Sequence, residues 1–263
     1  MKRIFCLILI LLGFCCNCQA ETLRFIQVTD VHLTQGNSEH LKQFVQDVNN
    51  NFKHLDFIVF TGDNIDSANQ KDLLLFLDII KKLNIKPYVL VGNHDLFKYH
   101  KVTKESYMTL VHKKLGHYHS KKANYVFQKK NIIFIVMNGV KEVIPTPNGY
   151  FHDDELLWLD KMLTKYTNKK VVILQHFPLL DAKDAGHNLY MKENYEEVLK
   201  KHNNVISIIS GHYHENREVK KDGIYHIITK NFKNNKYYKL IEIDTDLTDD
   251  MIFTHLIVND ENQ

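Results

Sequence analysis

Residues 23–29, 56–61 and 86–91 are short, nearly unbroken apolar runs rich in Ile, Val and Phe, the pattern of buried strands. Between them, 38–52 and 70–83 carry apolar residues at three- and four-residue spacing, which predicts amphipathic helices, with Ser38 and Ser67 as nearby start signals. A strand–helix–strand–helix–strand order implies parallel strands joined by right-handed crossovers. Further on, 103–115 and 153–166 read as helices, and 124–128 with 132–137 as a hairpin. Strands are predicted at 170–175 and 205–210. After Glu215 come consecutive short strands at 217–221, 224–229, 237–244 and 252–258, with Asp222-Gly223 marking a tight hairpin. No repeat or long linker divides residues 21–263, so one α/β domain is expected.

The first 20 residues follow different rules. Lys2 and Arg3 precede an apolar stretch at 4–14, and Cys18-Gln19-Ala20 offers small residues of the kind read by a signal peptidase. That stretch falls short of the roughly 20 apolar residues of a membrane span. The expectation is therefore a signal peptide at 1–20, with export to the periplasm or the medium. An uncleaved or lipidated anchor is the alternative, although Phe14, Cys15 and Asn17, which precede Cys15, Cys16 and Cys18, are not the small residues an acylation site favours. All four cysteines lie within this leader, so residues 21–263 contain no thiol for catalysis, disulfides or metal binding. Losing Lys2 and Arg3 would take the formal charge from +3 to +1. A balance so near zero gives no support to a nucleic-acid surface, and the lysine pairs at 113–114, 121–122 and 129–130 read as solvated faces and turns.

Chemistry concentrates at strand ends. Asp30-x-His32, Gly62-Asp63, Gly92-Asn93-His94-Asp95, His176 and Gly211-His212-x-His214 occur in that order, nearly all directly after an apolar run. In parallel sheets ligands bind beyond the carboxyl ends of the strands, so these donors converge. Oxygen and nitrogen donors without sulfur suit Mn, Fe or Zn. Taken singly the motifs are weak, since Asp-x-His and Gly-Asp are common turns. Gly-His-Tyr-His even occurs twice, at 116–119 and 211–214; only the second copy follows an apolar strand and comes last, and the first reads as a surface loop.

Taken together, the five blocks resemble the signature of the calcineurin-like metallophosphoesterase superfamily, with no ligand position substituted. The resemblance implies an αββα sandwich of two mixed β-sheets flanked by helices, and hydrolysis of phosphomonoesters or phosphodiesters by a metal-bridging hydroxide. It implies one ion on Asp30, His32, Asp63 and His214, and a second on Asp63, Asn93, His176 and His212. His94 would contact the phosphoryl group or protonate the leaving oxygen, with Asp95 orienting a histidine.

The pattern looks most like the bacterial class III cyclic-nucleotide phosphodiesterase branch. Purple acid phosphatases have Tyr where Asp66 stands, and protein Ser/Thr phosphatases have an Arg-Gly pair that the run 62–68 lacks. Expected substrates are small: a nucleotide, a cyclic nucleotide, a phospholipid headgroup, a sugar phosphate or a glycerophosphodiester. Phe97, Tyr99, Tyr150, Phe151, Phe177 and Tyr213 are candidates for a base-stacking rim, and His187 for a loop residue within reach of substrate. A non-catalytic metal- or partner-binding protein that keeps the fold is the competing reading. The intact ligand set argues against it, because buried carboxylates and imidazoles without an ion are costly.

Overall fold

The computed structural model describes residues 22–116, 120–244 and 251–258. The leader at 1–20 and residues 117–119 of the first Gly-His-Tyr-His copy lie outside them. Two mixed sheets face each other between helical layers. The first is built from β1 (Leu23–Val28), β2 (Phe57–Thr61), β3 (Pro87–Leu90), β10 (Tyr237–Ile243) and β11 (Ile252–Val258), in the order β11-β10-β1-β2-β3. The second contains β4 (Tyr125–Lys129), β5 (Ile132–Val136), β6 (Lys170–Leu174), β7 (Val205–Ser210), β8 (Arg217–Lys221) and β9 (Ile224–Ile228), in the order β4-β5-β6-β7-β9-β8. Strands β1, β2 and β3 are mutually parallel, as are β5, β6, β7 and β9. Their carboxyl ends therefore share one edge of the sandwich.

Aromatic rings fill the space between the sheets. Phe25 stacks on Phe57 at 4.6 Å, and both meet the edge of Phe134 from the opposite sheet. Tyr88 stacks on Phe127 at 3.9 Å. Cutting a ring of this kind to Ala typically costs about 3–5 kcal/mol, a large share of the roughly 5–15 kcal/mol that holds a domain together. Helices α1 (Ser38–Asn51), α2 (Gln70–Ile80) and α3 (Lys104–Leu115) run in sequence on one side, where Phe44 and Phe76 pack edge-on against Phe60. Helices α4 (Asp153–Lys165) and α5 (Lys192–Leu199) pair on the other side, and the one-turn α6 (Phe232–Asn235) carries the chain from β9 back to β10.

Between the sheets, near the carboxyl-end edge, lies a buried polar bridge. Gln27 donates to Thr61 Oγ1 at 2.9 Å and to the Ser210 carbonyl at 2.9 Å, and accepts from Thr229 Oγ1 at 2.6 Å. Gln27, Thr61 and Thr229 are fully buried. Satisfied networks of this kind fix strand register, and this one ties β1, β2, β7 and the end of β9 into a rigid floor.

Candidate metal centre

The loops after β1 and β2 do not separate where the strands stop. Asp30 N–H donates to Gly62 O, His32 N–H to Asp63 O and Leu33 N–H to Asn64 O, at 2.9–3.1 Å. This tracking forces side chains into unusual directions: Asp30, His32, Asp63, His212 and His214 all have positive φ, between 45° and 68°. Such conformations cost about 1–3 kcal/mol each and concentrate at functional sites. Glycines allow the close approach. A Cβ on Gly92 would lie 2.2 Å from Asp63 Oδ1, and one on Gly211 would lie 1.8 Å from Thr29 Oγ1.

The eight predicted site residues meet in one place. Asp63 Oδ2 lies 3.3 Å from His176 Nε2 and 3.8 Å from His32 Nε2, so one carboxylate oxygen sits between two imidazoles. His32 Nε2 is 3.4 Å from His214 Nε2, which is 3.3 Å from Asp30 Oδ1. On the other flank His176 Nε2 is 3.2 Å from Asn93 Oδ1, and the His212 ring lies 5.0 Å from that of His176. Asp30-His32-His214, His32-Asp63-His94 and Asp63-His176-His212 each place three donor atoms within 4.8 Å of one another. Asp63 and His32 each belong to two of these groups.

Neighbouring backbone groups fix the tautomers. His176 Nδ1–H donates to Thr61 O at 2.9 Å, and His94 Nδ1–H to Asp66 O at 2.7 Å. A carbonyl can only accept, so in the neutral rings Nε2 is left as the free donor atom. His212 is bonded to the Pro147 backbone, and its Nε2 is buried with no hydrogen-bond partner. A bound cation removes that deficit, and the absence of sulfur fits a borderline or hard ion. The donor set therefore fits the metals that the sequence suggests.

Burial would depress the pKa of His176, but the Asp63 carboxylate overrides it and pushes the ring up to about 9. Burial likewise works to raise Asp63, yet the adjoining imidazoles hold it well below the ordinary carboxylate range. Burial pushes His212 down to about 4. In the metal-free protein the proton on His176 must leave before its Nε2 can act as a ligand, whereas His212 is already neutral. Apparent metal affinity should therefore climb by about tenfold per pH unit from neutrality and level off near pH 9. Calorimetric titration in buffers of different ionisation enthalpy checks this, and a pH-independent affinity over that window would contradict it.

Three residues behave differently from expectation. Asp95 orients no histidine: its oxygens accept from the N–H groups of Asn64, Ile65 and Gly92 and from the Asn64 side chain, at 2.8–3.1 Å, so it clamps two ligand loops together. Phe151 and Phe177 are core residues, not rim residues, at 4% and 1% exposure. Phe177 packs 4.8 Å from the His212 ring and 5.1 Å from that of His176, which restrains both.

Asp66 supports the site from outside the predicted ligand set. Its Oδ1 lies 3.5 Å from His32 Nδ1 and is held by Lys233 Nζ at 2.6 Å. Position alone was the available signal, three residues beyond Asp63. Asp66→Asn should weaken metal affinity or turnover by about 10- to 100-fold, the usual cost of losing a partner behind a ligand. Metal competition titration measures this, and an unchanged affinity and rate would remove Asp66 from the support of His32.

Above the cluster a cleft of about 330 Å³ is lined by Asp63, Asn93, His94, His187, His212 and His214, among others. It shares Asn93, His94 and Pro147 with an adjoining hollow of about 460 Å³ that includes Phe97 and His100. Together they suit a small ligand. A cavity of about 490 Å³ opens at the starts of β7 and β9, around Val205, Ile224 and His226, away from all eight residues. Size does not decide between them, because the donor atoms converge only in the first.

Residues 23–216 match the family model of the calcineurin-like phosphoesterases, and the chain belongs to that family. It is a metal-dependent phosphoesterase with the two-sheet, helix-flanked fold of its kin. A probable glycerophosphodiester phosphodiesterase of Arcobacter nitrofigilis is 25% identical over 72% of this chain and 71% of its own length. The 3′,5′-cyclic adenosine monophosphate phosphodiesterase of Haemophilus influenzae is 24% identical over 75% and 72%. Among solved structures, a dimetal phosphatase from Danio rerio shares the fold with a TM-score of 0.64 and 16% identity, covering 84% of this chain and 95% of that one.

Proposed function

We propose that this chain is an exported dinuclear-metal phosphohydrolase that cleaves small phosphodiesters, of which cyclic nucleotides and glycerophosphodiesters are the leading candidates. The observation that carries the dinuclear reading is the position of Asp63, whose carboxylate stands between His32 and His176 and belongs to two donor groups. One ion would rest on Asp30, His32, Asp63 and His214, the other on Asp63, Asn93, His176 and His212. Such a pair supplies an activated water and neutralises phosphate charge. The protein residues do the rest. Asp95 holds the two ligand loops in register, Thr61 and Pro147 orient ligand rings, and His94 directs a free Nε2 at the leaving-group side of the phosphoester. The names of relatives in Arcobacter and Haemophilus favour diesters. The domain is residues 21–263, with 1–20 removed on export to the periplasm or the medium; retention of the leader would instead anchor it in the membrane.

The test is a substrate panel on the protein stripped of metal and reloaded with manganese. It includes p-nitrophenyl phosphate, bis-p-nitrophenyl phosphate, 2′,3′- and 3′,5′-cyclic nucleotides and glycerophosphodiesters. Manganese-dependent turnover of a diester supports the proposal. Two bound equivalents without turnover on any of them would favour the non-catalytic reading.

A further inference from the structure

Ten large hydrophobic side chains are exposed among the described residues, and five of them, Tyr99, Val143, Ile144, Tyr190 and Met191, sit on three loops around the catalytic cleft. Scattered apolar side chains need no explanation, but a concentration beside a site does. The loops form one rim. The Lys98 N–H donates to Glu142 O at 2.7 Å, which joins the Tyr99 segment to the Val143-Ile144 tip. Residues 145–147 continue from that tip into the wall of the cleft. Tyr150 and Tyr190 then meet at 5.9 Å, linking the third loop. Tyr99 is 75% and Ile144 69% exposed.

Cations accompany these tips. Lys98, Lys101 and Lys141 flank them, and none has a carboxylate within 4 Å among the described residues. Lys141 instead lies 5.6 Å from the ring centres of both Tyr150 and Tyr190. Of the nearby acids, Glu142 accepts from the Lys104 N–H, Asp181 pairs with Lys192 and Asp184 faces His187 at 3.3 Å, while Glu105 and Glu193 stay exposed to solvent. Protruding apolar tips interleaved with unpaired lysines suit a headgroup layer, where the tips enter the acyl boundary and the lysines meet anionic phosphates.

We infer that this rim is a docking surface for an anionic phospholipid bilayer, seating the cleft against the membrane plane. Because Pro145 and Pro147 belong to the same loop as the tips, a seated protein presents its cleft to headgroup-level phosphodiesters. The surface stands on exposure and charge and is tested without turnover, so its failure and that of the phosphodiesterase reading are separable.

The experiment uses the full chain, wild type and Val143→Asp/Ile144→Asp, so that any contribution from residues 1–21 is common to both. Each is co-sedimented with phosphatidylcholine vesicles with and without phosphatidylglycerol. Wild type should partition more strongly with phosphatidylglycerol and weaken with salt. The double variant should lose about tenfold or more, and Lys98→Gln about fivefold on the anionic vesicles only. Turnover of soluble bis-p-nitrophenyl phosphate should not change. Ile144→Trp supplies a second readout that does not depend on the acidic variant folding. Its emission, corrected for the Trp158 signal of wild type, should shift to the blue on adding anionic vesicles. Equal sedimentation of wild type and the double variant would overturn the docking surface. So would an Ile144→Trp emission indifferent to vesicles, which would point to a protein partner instead.

Discussion

Asp63→Ala is expected to strip the protein of both metal equivalents and to lower turnover by about 10³-fold or more, since several kcal/mol of charge stabilisation would be lost. The size of the effect follows from position. The Asp63 carboxylate faces His32 on one side and His176 on the other, and so joins the two flanks of the cluster. Removing it also leaves His176 without the charge that holds its proton. Asp63→Asn separates site from fold, because Asn tolerates the positive φ found here and preserves the shape. Both variants should fail to hold two equivalents by elemental analysis while keeping native circular dichroism. Retention of two equivalents in either would refute the bridging role.

The second large effect is expected from His94→Ala, with metal retained and the rate down by about 10²–10⁴-fold, the range for a positioned acid or charge-stabilising group. His94 is, with His214, one of two exposed members of the cluster, and its ring is held by the Asp66 carbonyl through Nδ1. Leaving groups distinguish its two possible duties. If His94 protonates the departing oxygen, an alkyl ester should suffer far more than a p-nitrophenyl ester, whose leaving group needs no proton. If it stabilises charge on the phosphoryl group, both should fall alike. Wild-type rates on both substrates would exclude it from the chemistry.

The strand-end ligands were legible because each follows an apolar run that can only be a buried strand, so topology alone gathers Asp30, Asp63, Asn93, His176 and His212 at one edge. The partition of the last four strands was not legible. Residues 217–258 read as consecutive strands, yet β8 and β9 extend one sheet while β10 and β11 extend the other. The switch depends on α6, whose Phe232 and Lys233 N–H groups bond to Thr29 O and Asp30 O. A four-residue helix has no periodicity to read. Helix α5 escaped for a similar reason: it has eight residues, and its buried Tyr195, Val198 and Leu199 supply a single helical face. Lys239 likewise sits in a strand pattern as an ordinary charged residue. Its charge, fully buried, is answered by Glu218 of the other sheet, a contact that local sequence cannot encode. Asp95 and Asp66 show the same limit in the site. Their types suggested chemistry or nothing, and only the tertiary approach of loops 63–66 and 92–95 shows what each one holds.

The left-handed backbone at Asp30, His32, Asp63, His212 and His214 bears on how such a protein changes over generations. Replacement by Gly or Asn at these positions relieves conformational strain at the moment it discards a donor. At His32 and His214 the bare polypeptide gains from that exchange, whereas at Asp30 and Asp63 it also strips the N–H groups of His212 and His94 of their acceptors. A lineage of this chain released from selection for turnover should shed its strained histidines first, keep the two aspartates longer, and retain its architecture.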